Sequence, residues 1–228
     1  MSFLNLIRAL SLATALLFTS AFALPLHHHD PRNLGIHKIE LMRYHDNGKY
    51  AADIAAAIQE AKTYLQFRVN QNARLKTPNK LAIVLDLDET ALSNYDDLKR
   101  FNFGGTPIET NAAEADGHDA VIPETLSLFN FAKSHGVAVF FITGRKQYER
   151  QNTEKNLRNV GYQNWDGLLM EPDHYNKDSA IPFKVANRKK ITQMGYDIVL
   201  DVGDQYSDLK GGYADMVIKI PNPYYYIG

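Results

Sequence analysis

The sequence predicts a doubly wound α/β fold, a Rossmann-like parallel sheet with a small cap inserted after its first core strand. Three observations predict it. The continuous apolar runs Leu81-Ala82-Ile83-Val84-Leu85, Val137-Ala138-Val139-Phe140-Phe141-Ile142 and Ile198-Val199-Leu200 suit strands buried on both faces. Helical patterns separate these runs, and such alternation belongs to parallel sheets. Residues 93 to 121, by contrast, are polar, contain Gly104-Gly105 and show no period. An excursion of that length in a compact domain is a lid or a binding loop.

Taken in order, the first 23 residues hold one charge, Arg8, ahead of an apolar run and an Ala21-Phe22-Ala23 ending. This is the pattern of a cleaved signal peptide. A membrane-spanning helix, the competing reading, needs about 20 consecutive apolar residues. Residues 24 to 37 mix Pro, Gly, Asn and His and read as an irregular lead-in. Within it, His27, His28 and His29 form either a divalent-metal tract or, the favoured reading, part of a mobile segment. From Asn47, apolar positions such as Tyr50, Ile54, Ile58, Ala61 and Leu65 recur every three or four residues, which predicts a helix of about 25 residues.

Beyond the first strand and the cap, Pro123 opens a helix that Gly136 closes, before the second strand. A helical stretch from Phe183 to Met194 ends at Gly195 and precedes the third. A last strand, Met216 to Ile220, stops at Pro221. Residues 38 to 228 are thus expected to form a single domain.

With 228 residues the chain has room for one sizeable core. Its 25 basic and 26 acidic residues nearly cancel, so no global field argues for a nucleic-acid polymer or an anionic membrane as partner. Binding must be local. The absence of cysteine excludes disulfides and a lipidated cysteine anchor.

The chemistry-bearing residues sit where the predicted strands end. The first strand runs into Asp86-Leu87-Asp88-Glu89-Thr90, with Asp86 and Asp88 on the same side of an extended chain. Ligands bind at the carboxyl ends of strands in open α/β sheets. The second strand ends in Thr143-Gly144-Arg145, a hydroxyl with free backbone N–H groups at a helix start, suited to phosphate oxygens. The third ends in Asp201-Val202-Gly203-Asp204, with Asp208 four residues on and Gly203 allowing a tight turn. Oxygen ligands of this kind suit Mg2+. Lys184, near the start of the preceding helix, supplies a fixed positive charge. Each signal alone also has a bland reading: a turn pair of aspartates, a capping threonine, a surface lysine.

Together, Asp86-Leu87-Asp88-Glu89-Thr90, Thr143, Lys184 and Gly203-Asp204-x-x-x-Asp208 resemble the four ordered motifs of the haloacid dehalogenase (HAD) superfamily, in its phosphatase form. Phe141-Ile142-Thr143-Gly144-Arg145, Asn156-Leu157 with Gly161-Tyr162, and Gly203-Asp204-Gln205-Tyr206-Ser207-Asp208-Leu209 are similar to the class B/C acid phosphatases (subclass IIIB). That family also holds bacterial lipoprotein nucleotidases and plant vegetative storage proteins. The resemblance spans roughly residues 40 to 225. One departure is plain: the lipoprotein branch has a lipidated cysteine, and this chain has none.

The resemblance implies an exported acid phosphatase, periplasmic or secreted, acting on small phosphate monoesters with one Mg2+ per site. Asp86 would be the nucleophile and Asp88 the general acid and base. Leu87, Thr143, Gly144 and Lys184 would bind phosphoryl oxygens. The metal would rest on Asp86, the Asp88 backbone carbonyl and Asp204, with Asp208 behind them. Tyr95, Phe101 and Phe103 either stack on an aryl or base leaving group or pack the cap. Arg145 contacts phosphate or forms a structural ion pair. Tyr224-Tyr225-Tyr226 reads as packing or a subunit contact, which leaves a homo-oligomer open. The alternatives to hydrolysis are a retired storage or ligand-binding relative and a phosphotransferase using the same aspartyl-phosphate; 5'-nucleotidase-like activity falls within the leading reading.

Overall fold

Side chains alternate along an extended strand, and the first core strand shows where that leads. In β1 (Lys80–Leu85), Ile83 and Leu85 join one apolar cluster while Ala82 and Val84 join another on the opposite face. Continuing the alternation past the strand carries Asp86 to the Ala82 and Val84 face.

The computed structural model describes residues 31 to 227. The predicted signal peptide and the His27, His28 and His29 tract lie outside them. Two helices come first, α1 (Leu34–Asp46) and α2 (Lys49–Asn72). The irregular lead-in therefore ends earlier than residue 37. Helix α1 buries Leu41 but leaves Leu34, Ile36 and Ile39 exposed, so no apolar period announces it. Helix α2 buries Tyr50, Ile54, Ile58, Ala61 and Leu65 on the expected stripe.

After β1 come β2 (Leu92–Ser93), α3 (Tyr95–Arg100), α4 (Pro107–Asp116), β3 (Ala120–Val121) and α5 (Pro123–Ser134). Residues 93 to 121 thus hold two helices closed at their base by the antiparallel β2–β3 pair. Thr106 caps α4 with Glu109 in a reciprocal capping box. The chain continues through β4 (Ala138–Lys146), α6 (Arg150–Asn159), β5 (Gly167–Glu171), α7 (Ile181–Gln193), β6 (Tyr196–Gly203), α8 (Tyr206–Leu209) and β7 (Met216–Lys219).

The five long strands pair in parallel in the order β5-β4-β1-β6-β7. Helices α2 and α5 supply one face through Ile58, Leu65, Leu128 and Phe129, and α7 supplies the other through Ile191 and Phe183. The chain leaves β1 toward β4 and β5, then crosses back to β6 on the other side. The ends of β1 and its neighbours lie at this reversal, where doubly wound sheets open a crevice. Among the described residues no helix is long and apolar enough to cross a membrane.

Candidate active site

The parity of β1 explains the first contact of the site. Asp86 faces α7, whose Lys184 is the fourth residue of the helix and 3% exposed. Its Nζ donates to Asp86 Oδ1 at 2.5 Å and to the Ile142 carbonyl at 2.5 Å, and it pairs with Asp208 Oδ1 at 3.0 Å. Burial works to discharge this ammonium; the Asp208 and Asp86 carboxylates outweigh it and raise its pKa.

Asp204 follows β6 and is 2% exposed. Thr90 Oγ1 donates to its Oδ1 at 3.1 Å, and Gln205 Nε2 and Asn222 Nδ2 each donate to its Oδ2 at 2.7 Å. Burial and the charge of Asp208 push Asp204 up to about 6. Burial and the same neighbour also raise Asp86, against the pull of Lys184. Carboxylate oxygens of Asp86, Asp204 and Asp208 lie within 4.8 Å of one another. Three buried carboxylates around one lysine are an excess of negative charge that a cation relieves, and an all-oxygen donor set suits a hard divalent ion. The residues present fit such a group.

Asp88 is engaged differently. Its carboxylate accepts from Arg145, from Asn94 Nδ2 at 2.9 Å and, at 3.5 Å, from Thr143 Oγ1. Burial disfavours its charge, but Arg145 prevails and lowers its pKa. Arg145 also meets Asp119 at 2.7 Å, so this guanidinium forms a buried ion-pair network. Between Asp88 and the cap base, Glu89 takes a left-handed backbone (φ 53°) and accepts from Asn94 N at 2.7 Å and from the Tyr225 hydroxyl. Burial and the charge of Asp204 push its carboxyl up to about 8.

The expected helix start at Thr143-Gly144-Arg145 is corrected. Strand β4 continues to Lys146, which pairs with Glu171 of β5 at 2.6 Å, and the register shifts between Thr143 and Lys146. The two intervening residues bulge from the ladder, which leaves Gly144 exposed toward the cleft; α6 opens only at Arg150. Thr143 is buried, and its Oγ1 accepts from Arg145 N at 3.0 Å. The reading of Gly203 is corrected too. Its φ is not positive; a Cβ there would sit 2.5 Å from the Asp208 side chain, so glycine permits close approach and not a special turn.

A cleft of about 580 Å3 opens over these residues, with Asp86, Asp88, Gly144 and Lys184 at its base and Phe101, Phe103 and Tyr226 among its walls. Leu87 has its side chain in the core, leaving only backbone to face a phosphoryl group. Tyr95 is in the packing set: its ring stacks on His45 at 3.4 Å and its hydroxyl donates to Asp46 at 2.8 Å. Sequence reasoning left Asn94, Glu89, Glu114, Gln205 and Asn222 without roles. For Glu89 the signal was its place inside the Asp-x-Asp-x-Thr motif; for Asn222 it was the pair of flanking prolines.

Comparison with known proteins places this arrangement. A family model described as HAD superfamily, subfamily IIIB (acid phosphatase) matches residues 20–228. The stem 28 kDa glycoprotein of Glycine max is 32% identical over 185 residues, 78% of this chain and 70% of that protein. Acid phosphatase 1 of Solanum lycopersicum is 31% identical over 148 residues, 63% of this chain and 58% of that protein. Vegetative storage protein 1 of Arabidopsis thaliana is 30% identical over 148 residues, 63% of this chain and 54% of that protein. The match thus spans little more than half the length of the last two. The class C acid phosphatase from Bacillus anthracis superposes with a TM-score of 0.69 over 85% of each chain; at 23% identity this likeness shows the fold.

Proposed function

The chain belongs to subfamily IIIB, the acid phosphatases, of the HAD superfamily, and from that premise we propose that it is an exported, Mg2+-dependent hydrolase of small phosphate monoesters. The observation that carries the proposal is the buried contact of Lys184 with Asp86 at 2.5 Å, set among Asp204 and Asp208. Lys184 occupies Oδ1 of Asp86 and leaves Oδ2 to attack phosphorus in line, forming an aspartyl-phosphate. The leaving alkoxide takes a proton from Asp88. Asp88 then takes a proton from the water that opens the aspartyl-phosphate, and that proton serves the next leaving group. Arg145 and Asn94 hold the Asp88 carboxylate in place for both transfers.

Asp86, the Asp88 backbone carbonyl and Asp204 would hold Mg2+, with Asp208 behind; when bound, the ion offsets charge on the transferring group. Thr143, Gly144 and the Leu87 backbone would orient phosphoryl oxygens. Residues 93 to 121 act as the cap, and Phe101 and Phe103 on the cleft wall suit a flat aromatic leaving group. Export rests on the signal-peptide pattern of residues 1 to 23.

A storage role is the second reading, favoured by the relatives that carry that name. The presence of Asp86, Asp88, Lys184 and Asp204 together weighs against it. The test is hydrolysis of an aryl phosphate with and without Mg2+, beside Asp86→Asn. The proposal expects metal-dependent turnover that the substitution abolishes. Absence of turnover with any divalent metal from acidic to neutral pH would overturn it.

A further inference from the structure

Sequence alone gives the closing tyrosines to packing or a subunit contact. Tyr224 does pack, against Tyr50, Tyr95 and Phe103, and the fold also lays the segment that holds these tyrosines, residues 221 to 227, against the candidate cation site. Asn222 Nδ2 and Gln205 Nε2 both donate to Asp204 Oδ2, each at 2.7 Å. A carboxylate oxygen has two acceptor positions, so Oδ2 is full. Among the described residues Oδ1 accepts only from Thr90 Oγ1, at 3.1 Å, which leaves one position free.

Asn222 is itself held. Its Oδ1 accepts from Tyr224 N at 2.8 Å, which decides the end of the amide that meets Asp204. Pro221 fixes the chain before it, and Pro223 restricts Asn222 to extended backbone. Two further contacts tie the segment down: Ile227 N donates to Gln205 Oε1 at 3.1 Å, and the Tyr225 hydroxyl donates to Glu89.

We propose that this C-terminal strap is a built part of the cation site, with Asn222 the positioning residue that, beside Gln205, saturates Oδ2 of Asp204 and presents Oδ1 to the ion. The inference rests on the reading of Asp204 as a cation ligand. Hydrogen-bond partners of a ligand carboxylate set its orientation, and losing one typically costs 10- to 100-fold in metal affinity.

The test is titration of the full chain with Mn2+ by calorimetry, for the wild type, Asn222→Ala and the similarly branched, donor-free Asn222→Leu. Thermal unfolding without metal runs alongside. The strap predicts Mn2+ binding weakened about 10- to 100-fold, while the metal-free midpoint moves by less than about 4 °C. A purely structural contact would move the midpoint and leave affinity unchanged. Tyr225→Phe loosens the strap without touching Asp204, and a loss of a few-fold is expected. Unchanged affinity in a folded Asn222 variant overturns the strap proposal alone. A wild type that binds no Mn2+ overturns the metal-dependent reading of the site, and the strap with it.

Discussion

The guanidinium of Arg145 grips Asp88 with two nitrogens, Nη2 to Oδ1 at 2.6 Å and Nε to the two oxygens at 3.0 and 3.2 Å. The same Nη2 meets Asp119, and the Arg145 side chain has no exposed surface. Of the two roles sequence left open for Arg145, a phosphate contact and an ion pair, the ion pair is present, with Asp88 and Asp119.

A lysine is a point charge and cannot reproduce that fork. Arg145→Lys is expected to lower kcat roughly 100-fold for alkyl phosphates, the scale of lost general acid catalysis. The fall should be much smaller for 4-nitrophenyl phosphate, whose leaving group departs without a proton. Comparing kcat on both esters checks this; equal losses would contradict a role through Asp88.

Gly203→Ala would force a Cβ to within 2.5 Å of Asp208. Asp208 holds Lys184 at 3.0 Å and accepts from Gln205 N at 2.9 Å. Turnover is expected to fall at least about tenfold, since a 1 Å misplacement is costly at a catalytic site, with stability lowered by about 1–3 kcal/mol. Kinetics and urea unfolding on one preparation measure both effects.

Glu114 of α4 lines the cleft, and its carbonyl accepts from Arg145 Nη1 at 3.3 Å. Burial first, then the charge of Asp88, push its carboxyl from 4.5 up to about 9. Across that window the folded state keeps a proton that the unfolded chain has lost, so stability falls as pH rises. Glu114→Gln removes this group's share of the fall. The variant should match wild type near pH 4 and exceed it by on the order of 2 kcal/mol near pH 8, after discounting for screening. Thermal melts across pH decide; an advantage that does not grow with pH would contradict the assignment.

Arg188 is fully buried, pairs with Asp201 at 2.8 Å and donates to the Gly212 carbonyl at 2.8 Å. It also donates to the carbonyls of Asp208 and Lys210, which ties the loop after β6 to α7. Arg188→Leu leaves Asp201 buried without its partner, a loss of about 3–5 kcal/mol. Urea unfolding measures it.

What the sequence made legible follows from burial. Strand β1 sits between two strands with both faces covered, so after Lys80 its residues, Leu81 to Leu85, are apolar without interruption. Strand β5 is a five-residue edge strand with only three apolar side chains between Gly167 and Glu171, and α6 buries only Thr153, Asn156 and Leu157 among charged neighbours. Neither carries a strong apolar period. Asp86, Asp88 and Asp204 stood out because acids directly after buried strands are unusual, whereas Lys184 was legible as a charge near a helix start but not as the partner of Asp86, a contact that spans 98 residues. Asn222 gave no sign of its partner, because an amide between two prolines does not say which carboxylate it will meet. Helix α1 escaped because it leaves Leu34, Ile36 and Ile39 exposed.

The central claim is that Asp86 becomes phosphorylated during turnover. The most direct measurement is acid quenching of the Asp88→Asn variant after mixing with an aryl phosphate and Mg2+, followed by peptide mass spectrometry. With the water-activating carboxylate gone and a leaving group that needs no proton, the account predicts one phosphoryl group on the peptide that contains Asp86. Release of product with that peptide unmodified, or with phosphate on another residue, would contradict it.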